Sequence, residues 1–485
     1  MNLDYLSLSQ LRELLDTKQV SSLELTQYFL ERIHTYNPQL NAYLNACEEE
    51  ALSQAKDADE YMAEHEERSA LCGIPYSAKD LFATKGIKTT AASKILDNWV
   101  ASYDATAIKK LKNKKAVLLG KTNLDEFAHG SSTETSAYGP TKNPWDNSRI
   151  PGGSSGGATS AQSAGLCAFA LGTETGGSIR QPSSLCSVSG LKPTYGRVSR
   201  YGVISMASSL DSPGPIAGSA KDLALILEEI AGQDQNDSTT GSQQVEQYAK
   251  NLSTDIKGLK IGIPTQYFLG EMDTDVKQKV LDAIEQVKRL GAETVEVDLP
   301  NTKYGSLVYA IICPSEISSN LARFDGIRFG HVSPLAQELS EIYSKSRAEG
   351  FGVEAKRRIL TGTYVLSAGY YDAYYKKAQK VRRLIVNEFT DVFTKVDALI
   401  APTVPNVAPE IGTALKDPLF GYIADQLNIP SSLAGLPAVS IPVGFSQNLP
   451  VGMQIIGPQW SEQRILNIAH TYQEVTAWHK EHPVL

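Results

Sequence analysis

Apolar residues recur with two different spacings along the first third of the chain. Between residues 23 and 33 they return every three or four positions behind Ser21, which predicts a helix that begins at a serine N-cap and ends at Pro38. Residues 74–78 and 116–119 are instead short apolar runs bounded by glycine, as is typical of buried strands. Helices and strands therefore alternate from the start.

The same alternation continues in the second half. A strand, a helix and a strand follow one another at residues 259–264, 275–290 and 293–297. A long helical stretch at 354–393 contains glycines, and we expect it to break near Gly362 or Gly369. Strand-like runs and a last helix complete the chain, at residues 398–401, 438–443, 452–456 and 461–475. These transitions predict an α/β protein with a parallel or mixed sheet.

The middle of the chain is rich in glycine, serine and proline, at residues 139–214. Apolar runs interrupt it, notably at 161–171, so it is not a flexible linker. Glycine and serine at loop-to-helix junctions let the backbone approach a ligand closely. The polar, turn-rich residues 233–257 are instead typical of a surface excursion.

Composition and charge exclude several classes of protein. A net charge of −8 does not favour direct contact with a nucleic-acid backbone. No apolar run approaches the ~20 residues of a membrane span, and residues 1–8 resemble no secretion leader. Five cysteines without CxxC spacing indicate free thiols, and the histidines lack zinc-ligand spacing. We therefore expect a cytoplasmic protein without a membrane segment or a metal site.

Two glycine-serine junctions are the candidates for chemistry. Phosphate-binding loops are excluded, because Lys115 stands where a P-loop needs its first glycine. Residues 152–156 match GxSxG, which indicates either a nucleophilic serine or a tight turn whose serine caps a helix. Residues 175–180 (TGGSIR) repeat this pattern of glycines followed by serine, and their backbone N–H groups could bind an oxyanion.

A serine nucleophile needs a base, and no histidine has a distinctive context. A buried lysine is the next candidate, since burial lowers its pKa. Lys79 follows a strand-like run, amid small residues. The alternative is an ordinary lysine that forms a salt bridge with Asp80.

Five segments resemble the amidase signature family, and the resemblance extends over essentially the whole chain. They are GIPYSAKD (73–80), GKTNLDEFAHGSSTE (120–134), PGGSSGG (151–157), GTETGGSIRQP (172–182) and GLKPTYGRVSRYG (190–202). Four segments resemble the branch of that family formed by glutaminase subunits of tRNA-dependent amidotransferases. They are NLDEFAHGSSTE (123–134), SSLDSPGP (208–215), RFDGIRFG (323–330) and the helical residues 349–382.

The resemblance implies a catalytic triad of two serines and a lysine. Ser178 matches the nucleophile, Ser154 the bridging serine that follows a cis peptide bond, and Lys79 the base. The backbone of Thr175, Gly176, Gly177 and Ser178 would form the oxyanion hole.

The same branch implies a clamp for free glutamine. Arg358 matches the residue for the α-carboxylate and Asp425 the residue for the α-ammonium, and Tyr309 would complete the pocket. A surface ion pair and a helix N-cap are the alternatives for the two charged residues.

Four positions depart from the family pattern, one of which is Ala158, which replaces a frequent serine just past GGSSGG. His129 stands where methionine is frequent, and is interpreted as a spacer or as a pH-sensitive wall residue. Thr173-Glu174 replace the usual Ser-Asp, for which we expect only a local adjustment.

The resemblance implies an α/β/α fold with a large mixed sheet in one domain, 1–485, although the length alone corresponds to about three domains. Its signature core would span about 70–220, and residues 258–485 would complete the sheet and the substrate pocket. The implied activity is hydrolysis of glutamine, with the ammonia passed to a partner that amidates Glu-tRNA(Gln), and with Asp-tRNA(Asn) as a further candidate.

The implied assembly is a heterotrimer in which this chain joins the B and C subunits of the amidotransferase. The partner would bind ATP, Mg²⁺ and most of the tRNA, and this chain would hold no cofactor. A stand-alone amidase for small amides is the alternative. A catalytically silent scaffold is disfavoured, because Lys79, Ser154 and Ser178 are all present.

Overall fold

The computed structural model describes residues 3–485, and its strands form one mixed sheet. In chain order they are β1 (Tyr43–Ala46), β2 (Pro75–Lys79), β3 (Val117–Thr122), β4 (Phe169–Glu174), β5 (Ser189–Lys192), β6 (Ser212–Ala217), β7 (Lys260–Pro264), β8 (Glu293–Val297), β9 (Ala398–Pro402), β10 (Ala438–Ser446) and β11 (Leu449–Ile456). Their order across the sheet is β1-β3-β2-β4-β6-β5-β10-β11-β9-β7-β8. The predicted α/β class with a mixed sheet is confirmed.

Helices flank this sheet. They are α1 (Leu8–Asp16), α2 (Ser22–Leu40), α3 (Glu48–Glu64), α4 (Thr106–Asn113), α5 (Gly156–Ser163), α6 (Arg180–Leu185), α7 (Ala220–Ile230), α8 (Thr274–Arg289), α9 (Gly305–Asn320), α10 (Leu339–Gly350), α11 (Val353–Leu366), α12 (Lys377–Val392), α13 (Thr413–Lys416), α14 (Phe420–Ala424), α15 (Ile429–Leu433) and α16 (Glu462–Glu474). A π-helical turn, Asp372–Lys376, precedes α12. No helix within residues 3–485 is both long enough and apolar enough to cross a bilayer.

Strand β2 lies parallel to both of its neighbours, β3 and β4. All three strands are buried along their whole length. Parallel strands end at the same edge of a sheet. Lys79, at the end of β2, therefore meets the loop after β3 and the turn after β4.

The C-terminal strands complete the sheet that the first half begins. β10 pairs antiparallel with β5 on one side and with β11 on the other. The short helix α6 packs against β10 and β11. Helix α6, which follows the turn after β4, is therefore covered by strands from the C-terminal part of the chain.

Two local expectations are settled by the structure. Helix α2 runs through Pro38 to Leu40, so the prediction that it ends at the proline is wrong. A proline in the last turn forfeits only one helical hydrogen bond, and Asn41, at φ 51°, ends the helix instead. The long helical stretch breaks at Gly369 (φ +86°), whereas Gly362 lies inside α11, where a Cβ would overlap the Pro314 carbonyl.

The polar residues 233–257 contain no helix or strand. The segment is nevertheless anchored, because Tyr248 is fully buried and the Arg197 guanidinium lies 5.9 Å from the centre of its ring. It is an irregular excursion held by Tyr248 and by hydrogen bonds from the Arg197 guanidinium to the Gln243 and Gln244 carbonyls.

Candidate active site

Lys79 ends β2 with its side chain fully buried among hydroxyl groups. Its Nζ lies 2.7 Å from Ser154 Oγ, 3.0 Å from Ser155 Oγ and 3.0 Å from Thr173 Oγ1. Burial lowers the pKa of Lys79 to about 7, although nearby buried carboxylates oppose the shift. A large fraction of this amine is therefore neutral near pH 7 and able to accept a proton.

Asp80 does not pair with Lys79. Its Oδ1 lies 3.0 Å from the Nζ of Lys121, and its Oδ2 accepts two hydrogen bonds from Thr90. The alternative of a Lys79–Asp80 salt bridge is therefore wrong.

Ser154 lies in the turn that leads into α5. The peptide bond between Gly153 and Ser154 is cis, as the resemblance implied. The Gly153 N–H donates to Gln181 Oε1 over 2.9 Å. A Cβ at position 153 would overlap the Asp125 carboxylate, so this turn requires glycine.

Ser178 lies between β4 and α6, and its carbonyl accepts a 3.1 Å hydrogen bond from Ser155 N–H. The structure thus brings all three triad residues to one edge of the sheet. Only Lys79 and Ser154 are joined directly, since Ser178 Oγ forms no hydrogen bond with any group in residues 3–485.

The backbone N–H groups of Gly176, Gly177 and Ser178 have no acceptor within the described residues. Three successive free N–H groups next to a serine can bind an oxyanion. Thr175 anchors the start of this turn, because its hydroxyl donates to Asp211 over 2.7 Å.

A buried ion pair supports the turn from the other side. The Arg180 guanidinium contacts the Glu174 carboxylate and donates to Ser431, Ser432 and Gln454. The second Glu174 oxygen accepts from two backbone N–H groups at the start of α6. The opposite charge of Arg180 keeps the pKa of Glu174 below its usual value despite burial.

Asp425 lies next to the turn that carries Ser178. One oxygen accepts a 2.6 Å hydrogen bond from Ser131, and the other is buried without a partner in the described chain. A Cβ on Gly177 would overlap this carboxylate. Burial raises the pKa of Asp425 to about 7. The unpartnered oxygen fits a cationic ligand.

Arg358 projects from α11 into a cleft of about 300 Å³ that Ser131, His129 and Tyr422 also line. Its Nε donates to Glu354 over 2.6 Å, while its two Nη groups have no acceptor among residues 3–485. Arg358 is therefore held at one edge of its guanidinium and is free to bind an anion at the other. The alternative of a surface ion pair is wrong, because the Arg358 side chain is only 7% exposed.

Tyr309 is buried on α9 and lies against the turn. Its ring carbon Cζ would be 3.1 Å from a Cβ at Gly176. Burial raises the pKa of its hydroxyl, and both Arg358 and Asp425 lie within electrostatic range of it. Tyr309 and Asp425 therefore lie against the serine turn, and Arg358 lies within electrostatic range of Tyr309.

Three contacts at the site were missed from the sequence. Ser155 and Thr173 touch Lys79, so Thr173 is more than the local adjustment we expected. Ser131 orients Asp425 from 294 positions away. The doubled serine of GGSSGG was the available signal for Ser155, whereas nothing local points to the partner of Ser131. Within residues 3–485 no group of three metal-ligating side chains converges.

Comparisons with known proteins identify the family of the chain. The amidase family model matches residues 24–466, so the chain belongs to the amidase family. It is 53% identical over 477 residues to the A subunit of the glutamyl-tRNA(Gln) amidotransferase of Nitrosococcus oceani, covering 98% of this chain and 99% of that protein.

Solved structures are similar over the same length. The crystal structure of the A subunit of the glutamyl-tRNA(Gln) amidotransferase of Thermotoga maritima is 40% identical, with a TM-score of 0.81, covering 98% of this chain and 96% of that one. A peptide amidase bound to the inhibitor chymostatin is 29% identical, with a TM-score of 0.87 and 99% of both chains covered.

Proposed function

We propose that this chain is the glutaminase subunit of a tRNA-dependent amidotransferase. The observation that carries the proposal is the buried Asp425 oxygen that has no partner in the described chain. Ser131, which binds the other Asp425 oxygen, lines the cleft into which the free edge of Arg358 projects. Free glutamine carries an α-ammonium and an α-carboxylate, which match these two groups in sign. A simple apolar amide has no charge for either group.

The reaction begins with Ser178. Neutral Lys79 takes a proton from Ser154, and Ser154 takes one from Ser178 as its Oγ attacks the side-chain amide carbon of glutamine. The oxyanion that forms is held by the free N–H groups of the turn. Protonated Lys79 then returns a proton through Ser154 to the leaving nitrogen. Ammonia departs and leaves a glutamyl ester on Ser178.

Water completes the cycle by the same relay. It gives a proton through Ser154 to Lys79 as it attacks the ester carbon. Collapse of the second oxyanion breaks the bond to Ser178 Oγ, which recovers its proton. The products are glutamate and free ammonia, and Lys79 is again neutral.

The residues that bind the substrate lie in the C-terminal half of the chain. The two free Nη groups of Arg358 bind the α-carboxylate, and Asp425 binds the α-ammonium. Tyr309, packed against Gly176, closes the pocket over the substrate. The names of the relatives support the same assignment, because those that are 40–53% identical are amidotransferase subunits, whereas the peptide amidase is only 29% identical.

The ammonia is consumed in the partner. This chain assembles with the B and C subunits in a cytoplasmic heterotrimer, in which the partner binds ATP, Mg²⁺ and the tRNA and amidates Glu-tRNA(Gln). No cofactor is needed here, because every step of the hydrolysis uses serine, lysine and backbone groups.

The test is ammonia release by the complex co-purified with its partner subunits. We expect release from glutamine that disappears in Ser178→Ala and that exceeds release from a panel of simple amides. Release from simple amides only would establish a stand-alone amidase instead. Activity that survives in Ser178→Ala would exclude the triad.

A further inference from the structure

His129 is a fully buried imidazole in the wall of the cleft that Arg358 lines. Both of its ring nitrogens are buried without a hydrogen-bond partner in residues 3–485. No other histidine in that part of the chain has both nitrogens in this state. A buried polar group without a partner costs free energy, which points to a ligand that supplies one.

The ring is held in place by its backbone. Phe127 and Ala128 adopt left-handed conformations, at φ 49° and 64°, and the His129 N–H donates to the Glu126 carbonyl over 2.8 Å. Phe127 packs against the ring of Phe351. This tight turn orients the imidazole toward the cleft rather than toward solvent.

Each carboxylate around the ring already accepts at least one hydrogen bond from a protein group. The Glu126 carboxylate accepts from Ser93 and from the Gly352 N–H. Glu354 holds Arg357 and Arg358. Asp425 accepts from Ser131. Asp417, which also lines the cleft, accepts from the Leu419 N–H, and the free Asp425 oxygen forms no hydrogen bond with His129.

The surroundings of the imidazole favour its neutral form. Burial, together with the positive charge of Arg358, lowers the pKa of His129 well below its usual value. A neutral ring still carries one N–H donor. The two free Nη groups of Arg358 and this N–H are donors that face one cleft, and an anionic acceptor satisfies them together.

We propose that His129 is a further substrate-binding residue, which donates a hydrogen bond to the α-carboxylate of glutamine beside Arg358. The assignment rests on the proposed glutaminase function. Its consequence is specificity: His129 makes the site prefer amides that carry a free α-carboxylate.

Two substrates separate this role from a structural one. Glutamine has the α-carboxylate, whereas 4-aminobutanamide retains the amine and the terminal amide but lacks it. With the heterotrimer, His129→Met should raise KM for glutamine about 10-fold or more, the size of one hydrogen bond to a charged group. It should leave kcat for glutamine and kcat/KM for 4-aminobutanamide unchanged.

A second variant and a second measurement complete the test. His129→Gln keeps an N–H donor and should recover part of the lost affinity. Calorimetric titration of glutamine into complexes that also carry Ser178→Ala measures the same difference in binding without turnover. His331→Met, on the surface beside Glu349, is the matched control.

The outcomes are distinct. An unchanged KM and Kd for glutamine in His129→Met would overturn the assignment, and so would an equal loss on both substrates. If the unmodified complex prefers 4-aminobutanamide to glutamine, the glutaminase function itself fails, and the role of His129 fails with it.

Discussion

Ser131 Oγ donates a 2.6 Å hydrogen bond to Asp425 Oδ2, and so joins the loop after β3 to the turn after α14. This contact fixes the carboxylate that we assign to the substrate ammonium. It also favours the ionised form, since the hydroxyl works against the rise in the pKa of Asp425.

Replacing Ser131 by alanine should therefore weaken glutamine binding. We expect KM to rise about 10-fold, because a hydrogen bond to a charged group is lost, while kcat changes little. Steady-state ammonia release measures both constants. Asp425→Asn should raise KM further, and a Ser131→Ala complex with unchanged KM would argue against this role.

The acid side of the pH profile should be steep. Activity needs Lys79 neutral and Asp425 ionised, and both groups have a pKa of about 7. Lowering the pH through 7 protonates both, so kcat/KM for glutamine should fall more sharply than a single ionisation allows. Kinetics between about pH 5.5 and 9 measure this, and a flat profile below about pH 8 would contradict both assignments.

The two serines that touch Lys79 should differ in importance. Ser154→Ala removes the proposed proton relay and should lower kcat at least about 100-fold. Ser155→Ala should cost less than about 10-fold, because Lys79 keeps Ser154 and Thr173. Single-turnover ammonia release on the two variants makes the comparison. Equal losses would show that Ser155 takes part in the relay.

Gly177→Ala should damage substrate binding through Asp425. The added Cβ overlaps the carboxylate, so either the turn or Asp425 must shift. We expect loss of most glutamine turnover with the complex still assembled, as judged by size-exclusion chromatography. Gly218→Ala is the control, since a Cβ there lies 3.7 Å or more from its neighbours. Full activity of Gly177→Ala would show that Asp425 does not take part in substrate binding.

Arg180 should matter for stability rather than for chemistry. Arg180→Met leaves Glu174 as an unpaired buried charge, which should lower the free energy of unfolding by about 3–5 kcal/mol. Lys288→Met breaks a surface pair with Glu285 and should change it by less than about 1 kcal/mol. Chemical denaturation measures both, and a small effect of Arg180→Met would contradict the supporting role.

The fold class followed from local patterns, since the periodicities near β2, β3, β7 and β8 match the structure to within about three residues at each end. The prediction that α2 ends at Pro38 failed because a proline in the last turn of a helix costs little stability. The strand order could not be read from any local pattern. β5, which reads SGLK, pairs with β10 from about 250 residues further along the chain, and nothing in either segment specifies that partner.

Some residues of the candidate site were indicated by local sequence patterns and others were not. Lys79 could be suspected from its position after a buried run, and the serines from their glycine neighbours. Arg358 and Asp425 came only from the family resemblance, because a charge on a helix is usually solvated. Their roles depend on contacts between residues that are far apart in the sequence, such as Ser131 with Asp425.

The position of β10 between β5 and β11 has a consequence for synthesis on the ribosome. Strands from β1 to β6 can pair as they emerge, but β7, β8 and β9 join them only through β10 and β11. Asp425 immediately precedes those last strands. A nascent chain therefore contains the turn with Ser178 long before the substrate pocket is complete. Translation is nearly finished before this protein can bind a substrate.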